Sequence, residues 1–249
     1  MKLKFPYDAV ETEDKKMGMF SRKDMVRLFG PLLVEQLLAV LVGMADVVMV
    51  AAVGETAVSG VALVDSISVL VIQVLSAMAT GGAVVCAQYI GKKRQDQACR
   101  AAGQLVLITA VLSLLIASAA FIGNRHLLRL IFGSVEAEVM DNAATYFWFT
   151  AMSYPFLALY NSGAALFRSM GNSKVSMKVS LAMNAINVAG NALCVFGLHM
   201  GVEGVAIPTL VSRMFAAVVM VILVRSPKNS IRVYSFRQLV PQLDMIGKI

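Results

Sequence analysis

Residues 31–54 read PLLVEQLLAVLVGMADVVMVAAVG, an apolar run that holds two acidic side chains and no basic one. An α-helix needs about 20 mostly apolar residues to cross the hydrocarbon core of a bilayer, and this run is long enough. Five comparable runs follow. The predicted spans cover residues 25–53, 60–90, 98–122, 140–167, 175–197 and 201–224. The sequence therefore predicts an all-α, polytopic membrane protein with six transmembrane helices in one bundle.

Basic residues lie almost entirely on alternate connections between these runs. The N-terminal arm, the second and fourth connections and the C-terminal tail hold 19 of the 22 Lys and Arg residues. Cytoplasmic loops of membrane proteins carry such an excess. We expect a multi-pass protein of the cell inner (plasma) membrane with both termini cytoplasmic. Its predicted parts are an N-terminal arm over residues 1–24, a bundle over residues 25–224 and a connector over residues 225–249.

Composition excludes several functional classes. The chain is 58% hydrophobic with a mean hydropathy of +0.74, and six spans leave no room for a separate soluble catalytic domain. His126 and His199 fall outside the apolar core, and no catalytic motif is present, so we do not expect an enzyme. The net charge of +7 follows from the topology rule and anionic inner-leaflet lipid. Membrane lipid, rather than nucleic acid, is the expected partner.

The connections differ in length and character. The first, at residues 53–56, and the fifth, at residues 197–201, are short and contain glycine. They predict that spans 1–2 and spans 5–6 form antiparallel hairpins. The third, at residues 123–140, alternates leucines with His126 and Arg129. That pattern predicts a short amphipathic helix at the outer membrane interface.

Charged residues interrupt the apolar spans at four places. Asp46 and Glu35 lie in the first span, Asp65 in the second and Arg213 in the sixth. An unpaired charge at membrane depth is costly, so each should face the bundle interior or a partner. Eleven residues separate Glu35 from Asp46, which places them on one helix face roughly 16 Å apart. An alternative is that Arg213 forms a structural ion pair with Glu35 or Asp65.

Amide and hydroxyl side chains accompany the carboxylate of Asp46. Asn184, Asn187 and Asn191 occupy one face of the fifth span. Thr209 in the sixth span and Asn161 in the fourth add a hydroxyl and another amide. One carboxylate with amide and hydroxyl oxygens is what a proton site or a Na⁺ site requires, because hard cations take oxygen ligands.

Proline interrupts the first span near its start. Pro31 removes a backbone donor and predicts a kink there. We therefore regard Pro31 as a candidate hinge.

Several motifs, in order, resemble the N-terminal six-helix bundle of the multidrug and toxic compound extrusion (MATE) family. They are Asp46-x-x-Met49, the run QYIG at residues 88–91 before a basic loop, LFRSMGN at residues 166–172, Asn187-x-x-x-Asn191, and GVEGVAIPT at residues 201–209. Each motif is weak alone, but their joint order and spacing over about residues 20–225 are specific.

The resemblance implies secondary active multidrug efflux by alternating access, in which H⁺ or Na⁺ is exchanged for small amphipathic or cationic compounds. It implies an ion site made by Asp46, Asn187, Asn191 and Thr209, with Na⁺ there if Na⁺ is the coupling ion. It places Tyr146 and Asn161 on the substrate cavity, to which we assign Asn184 and Glu35 as well. No cofactor is expected besides the coupling ion.

Two departures from the family pattern matter. The position of Asn191 is often an Asp in the family, which leaves Asp46 as the main charge here. The family also has two six-helix lobes with twelve helices in all, whereas this chain stops just after the first. We expect an incomplete chain whose second lobe lies in the same full-length chain, or else a second copy that rebuilds the cleft.

Two other functions stay open from the residues. One is a flippase for lipid-linked oligosaccharides in the same superfamily, although such proteins need a more cationic cavity than Arg213 alone provides. The other is a membrane assembly module that transports nothing. In the favoured mechanism, protonation or Na⁺ binding at Asp46 changes the bend of the first span near Pro31.

Overall fold

The protein is a bundle of long helices. A computed structural model describes residues 22–227 and 229–231, so the predictions for the arm up to residue 21 and for the connector over residues 232–249 lie outside the described residues. The helices are α1 (Arg22–Ala51), α2 (Glu55–Gly91), α3 (Gln95–Phe132), α4 (Ala137–Ser169), α5 (Ser173–Ala192) and α6 (Glu203–Val224). A single π-helical turn, Leu193–Gly197, extends α5. The prediction of an all-α bundle is confirmed.

Five segments of the described chain are long and apolar enough to cross a membrane: Phe29–Ala51, Glu55–Gly91, Gln95–Phe132, Ser173–Gly197 and Glu203–Val224. Helix α4 is the sixth long helix and is not among them. It packs against α2, α3 and α6, and much of its surface is buried. Because protein rather than lipid surrounds α4, its side chains can be more polar than those of the outer helices.

Helix connections define the two ends of the bundle. Residues 52–54, 133–136 and 198–202 lie at one end, which we call the Gly54 end, and residues 92–94 and 170–172 lie at the other, the Gly171 end. Large apolar side chains such as Leu33, Leu70 and Ile122 are exposed between these ends. Their outward position is the one expected for contact with lipid.

Helix α4 ends where the sequence motif at residues 166–172 places a glycine. Gly171 has a φ of +75°, a left-handed conformation that favours glycine. The N–H of Asn172 donates to the carbonyl of Phe167 at 2.9 Å, and the N–H of Gly171 donates to that of Arg168 at 2.9 Å. These bonds satisfy carbonyls at the helix end and reverse the chain into α5.

The predicted interfacial helix after residue 123 is wrong. Helix α3 continues without a break to Phe132, and the connection to α4 covers only residues 133–136. Leu128 is fully buried in the core, whereas Leu130 is 82% exposed. The alternation of apolar and polar residues there belongs to the last turns of a long helix with one face on the core.

The predicted hairpin of spans 1 and 2 is also wrong in its packing. Helix α1 packs mainly against α5, with few contacts to α2, whereas α5 and α6 do pack closely together. A short loop holds the ends of two helices together but does not decide which faces meet along their lengths. Packing on α5 brings Asp46 to the side-chain amide of Asn191 and Glu35 to the hydroxyl of Ser176.

Candidate functional site

A row of polar side chains on α4 forms hydrogen bonds with charged side chains of three neighbouring helices. Tyr146, Ser153 and Tyr160 are seven residues apart and therefore share one helix face. All three are buried. We call them the α4 polar line. Each contacts one charged side chain, and the three charged partners come from α2, α6 and α1.

The two ends of the α4 polar line bind carboxylates. The hydroxyl of Tyr146 donates to Asp65 on α2 at 3.4 Å. The hydroxyl of Tyr160 donates to Glu35 on α1 at 2.8 Å, and Ser176 on α5 donates to the other Glu35 oxygen at 3.3 Å. Hydrogen bonds to a charged acceptor offset part of the cost of taking a carboxylate out of water.

Asp46 belongs to a separate cluster between α1, α5 and α6. The side-chain amide of Asn191 donates to Asp46 Oδ1 at 2.8 Å and to Asn187 Oδ1 at 3.4 Å. The amide of Asn187 in turn donates to Thr209 Oγ1 at 2.9 Å. The structure thus brings together the four residues of the predicted ion site, and their role in ion binding stays a prediction.

One oxygen of this cluster is buried without a partner. Asn191 is fully buried, and its Oδ1 accepts no hydrogen bond from any residue that the structure describes. A buried acceptor left unpaired costs about 1–3 kcal/mol. The carboxylate of Asp46 is bonded to the same side chain. A carboxylate beside an unpaired amide oxygen fits a proton or a hard monovalent cation, which takes oxygen ligands.

A close approach of α5 to α6 makes this cluster possible. A Cβ atom on Gly190 would lie 2.7 Å from Pro208 Cβ, closer than side-chain atoms pack. Glycine at that position therefore lets the two helices meet. Gly190 directly precedes Asn191, and Pro208 directly precedes Thr209. Gly190 thus allows both polar partners to lie at the contact between the two helices.

The alternative in which Arg213 forms a structural ion pair with Glu35 or Asp65 is not seen among the residues that the structure describes. Among residues 22–227 and 229–231, Arg125 and Asp141 form the salt bridge, and Arg213 has no carboxylate oxygen within 4.0 Å. Its guanidinium instead donates to Ser153 Oγ, the middle position of the α4 polar line. Glu35 and Asp65 have tyrosine hydroxyls as partners. The three hydroxyls of the α4 polar line lie about two helical turns apart, so the charged groups bonded to them are separated along the bundle.

The remaining predicted cavity residues are dispersed. Glu35 lies with Tyr160 toward the Gly171 end, about three turns from Asp46. Asn161 and Asn184 are half-buried, and the structure shows neither amide nitrogen bonded to a group in the described part of the chain. Tyr146 is buried beside Asp65. Within the described part of the chain, no side-chain hydrogen bond joins these four residues to the Asp46 cluster, which is the compact group among the predicted site residues.

Sequence reasoning missed Ser153, Tyr160 and Ser176 as partners of charged residues. A signal for two of them exists, because Tyr146, Ser153 and Tyr160 repeat at seven residues in an otherwise apolar run. Seven residues are close to two helical turns, so the repeat predicts a polar stripe. Ser176 lies one turn into α5 and has no comparable signal.

Comparison with known proteins supports the same architecture. The family model described as MatE matches residues 31–193. The uncharacterized transporter YisQ of Bacillus subtilis is 28% identical over 215 residues, which cover 85% of this chain and 46% of that protein. The probable multidrug resistance protein NorM of Thermotoga maritima is 27% identical over 203 residues, which cover 79% of this chain and 43% of that protein. The chain thus spans about half the length of the curated relatives it matches.

A solved structure has the same fold. It is described as the outward-facing conformation of a multidrug resistance MATE family transporter of the MOP superfamily. It superimposes with a TM-score of 0.84 at 18% identity, over 91% of this chain and 50% of that one. The multi-pass helical bundle is therefore shared, and because the family model covers more than half of its residues, the chain belongs to the MatE family.

Proposed function

We propose that this chain is one six-helix lobe of a secondary active multidrug exporter, which moves small amphipathic or cationic compounds out of the cell in exchange for H⁺ or Na⁺. The observation that carries the proposal is the Asp46 cluster, where a carboxylate, two amides and a hydroxyl are linked by hydrogen bonds. The coupling ion is cargo, and no other cofactor is required. The names of two relatives, an uncharacterized transporter and a probable multidrug resistance protein, agree with it.

The proposed setting is the inner membrane, with the Gly171 end on the cytoplasmic side. The basic residues at that end, among them Lys92, Lys93, Arg94 and Lys174, support this orientation. The substrate would enter a cleft between this lobe and a second six-helix lobe, supplied by the same full-length chain or by a second copy. The half-length match to the relatives supports a second lobe.

A transport assay tests this function. Inside-out membrane vesicles would be prepared from cells that express the protein in its natural full length. A fluorescent organic cation would be added to the medium outside the vesicles. An imposed Na⁺ gradient at symmetrical pH, and a pH gradient without Na⁺, would be applied separately. We expect one of them to drive accumulation at least several-fold above vesicles without the protein. Accumulation independent of both gradients would refute ion antiport, and binding of lipid pyrophosphates alone would favour the flippase.

The proposed moving element is α1. The part of α1 after Pro31 is attached through Glu35 to α4 and α5, and through Asp46 to α5, while much of its remaining surface is exposed. Proline lacks a backbone N–H, so the helix is least restrained at Pro31. Cation binding at Asp46 competes for the oxygen that Asn191 holds, and so changes how α1 is attached.

Replacement of Pro31 by Ala is expected to slow exchange at least several-fold while leaving cation binding to Asp46 within about twofold. The physical reason is that alanine restores the backbone hydrogen bond and stiffens α1 without touching the ion site. Equilibrium ²²Na⁺ binding and gradient-driven efflux in the same preparation separate the two effects. Wild-type exchange rates in the variant would remove Pro31 from the mechanism.

A further inference from the structure

Arg213 occupies a position next to the Asp46 cluster that the proposed function does not use. It follows Thr209 by four residues on α6, so the two side chains lie one turn apart on the same helix face. Thr209 accepts the hydrogen bond from Asn187 that closes the cluster. Arg213 is half-buried and donates to Ser153, which is itself fully buried and also donates to the carbonyl of Thr150 at 2.6 Å.

Arg213 lies one helical turn from Thr209 of the cluster and forms no ion pair with a residue that the structure describes. Ser153, to which Arg213 donates, lies about two helical turns from Tyr146, which donates to Asp65, and no carboxylate oxygen of the described chain lies within 4.0 Å of Arg213. The other titratable groups near it are the hydroxyls of Tyr146 and Tyr154. The α5 groups of the cluster, Asn187 and Asn191, carry no charge. Two carboxylates and one guanidinium therefore leave this region with a net charge of one negative unit.

We propose that Arg213 is a specificity-determining residue of the Asp46 site, which weakens cation binding enough for release and opposes divalent ions more strongly than monovalent ones. This inference rests on the proposed ion exchange. One monovalent cation neutralises the local charge, whereas a divalent cation leaves a positive excess beside a fixed guanidinium. Coulomb energy is proportional to the charge of the bound ion, so Arg213 opposes a divalent ion about twice as strongly in free energy. A tenfold effect on Na⁺ thus becomes about a hundredfold effect on Ca²⁺.

An electrostatic role of Arg213 predicts a change in ion affinity and selectivity, whereas a structural role predicts a change in stability. If Arg213 only held α6 to α4, loss of its bond to Ser153 would lower thermal stability and leave ion selectivity alone. Arg213→Lys keeps the charge and loses the guanidinium geometry. Arg213→Gln keeps a hydrogen-bonding side chain and loses the charge. The pair therefore separates charge from contact.

The experiment measures equilibrium binding of ²²Na⁺ and ⁴⁵Ca²⁺ to the purified protein in lipid nanodiscs. In Arg213→Gln we expect the Na⁺ affinity to rise about tenfold and the Ca²⁺ affinity about a hundredfold, as Coulomb interactions at an intermediate effective dielectric imply. Arg213→Lys should bind both ions as wild type does. Arg168→Gln, which removes a basic side chain at the Gly171 end of α4, is the matched control and should change neither affinity.

A second series covers coupling by H⁺. Trp148 is the one Trp in the sequence; it lies two residues after Tyr146 and packs against Phe121 and Phe149. Its fluorescence would be followed as the H⁺ concentration is varied without Na⁺. In Arg213→Gln, the H⁺ concentration that produces half of the change should fall about tenfold, and in Arg213→Lys it should not move.

The outcomes separate the inference from the proposed function. Asp46→Asn, measured alongside, should abolish both the Na⁺ and the H⁺ responses. If it does so while Arg213→Gln leaves affinity and selectivity unchanged, ion binding at Asp46 stands and the role of Arg213 is refuted. If the wild type responds to neither ion, both are refuted. A drop in melting temperature in both Arg213 variants without any change of selectivity would show a structural role only.

Discussion

Gradient-driven efflux is expected to disappear, by at least about a hundredfold, when Asp46 is replaced by Asn. Asn has nearly the same shape as Asp and can still accept the hydrogen bond from Asn191, so the cluster keeps its packing. It loses the charge that a proton or Na⁺ would neutralise, and the neighbouring amides cannot replace it. The measurement is Na⁺-driven or pH-driven transport of a fluorescent cation by the full-length protein in vesicles.

The matched control for this change is Asp141→Asn. Asp141 is a 63% exposed acid at the start of α4 that pairs with Arg125. Exposed ion pairs contribute about 0–1 kcal/mol, so transport and stability should stay close to wild type. Thermal melting in detergent checks that both variants fold. Wild-type efflux by a folded Asp46→Asn protein would exclude Asp46 as the ion site.

Replacing Gly60 by Val should prevent most of the protein from folding. Gly60 lies on α2 against the backbone of α4: a Cβ atom there would be 2.9 Å from the amide nitrogen of Ala143 and 3.0 Å from the carbonyl oxygen of Val139. Backbone atoms in a packed helix cannot rotate away as a flexible side chain does. Overpacking of this kind costs about 1–3 kcal/mol even where side chains can yield, and the branched Val adds two further carbons.

Gly43→Val on α1 serves as the control because nothing lies within 4 Å of a Cβ atom placed at Gly43. The comparison is the yield of monodisperse protein after detergent extraction, together with its melting temperature. We expect a several-fold lower yield for Gly60→Val and a near-normal yield for Gly43→Val. Equal behaviour of the two variants would show that α2 and α4 are not packed at the distance the structure gives.

Several features of the site could be predicted from local sequence. Asp46 stands out because a carboxylate in an apolar run must be sheltered, and the Asn187 and Asn191 pair stands out because i and i+4 share a helix face. The seven-residue repeat of Tyr146, Ser153 and Tyr160 likewise predicts a polar stripe on α4. What no spacing predicts is which helix faces that stripe, because the answer depends on contacts between segments far apart in the chain.

Arg213 illustrates the same limit. In the sequence it is one base among three acids, so a buried ion pair is one alternative that the residues leave open. In the structure, Ser153 accepts a hydrogen bond from the guanidinium of Arg213. Tyr146 donates to Asp65, and Tyr160 donates to Glu35. Arg213 lies one turn along α6 from Thr209, but only the packing of α6 on α4 and α5 shows that Ser153 is its partner and that Thr209 joins the Asp46 cluster.

Local sequence was enough to predict the class of this protein. The apolar runs, the placement of basic residues and the ordered motifs predict a membrane bundle of six helices, because span length and charge distribution are properties of each segment alone. The packed bundle was needed to show that α1 packs on α5 rather than α2, that α4 lies at the centre, and that Asn191 donates to Asp46. Those facts depend on which helix faces fit together, and fit is a property of pairs of segments rather than of any one of them.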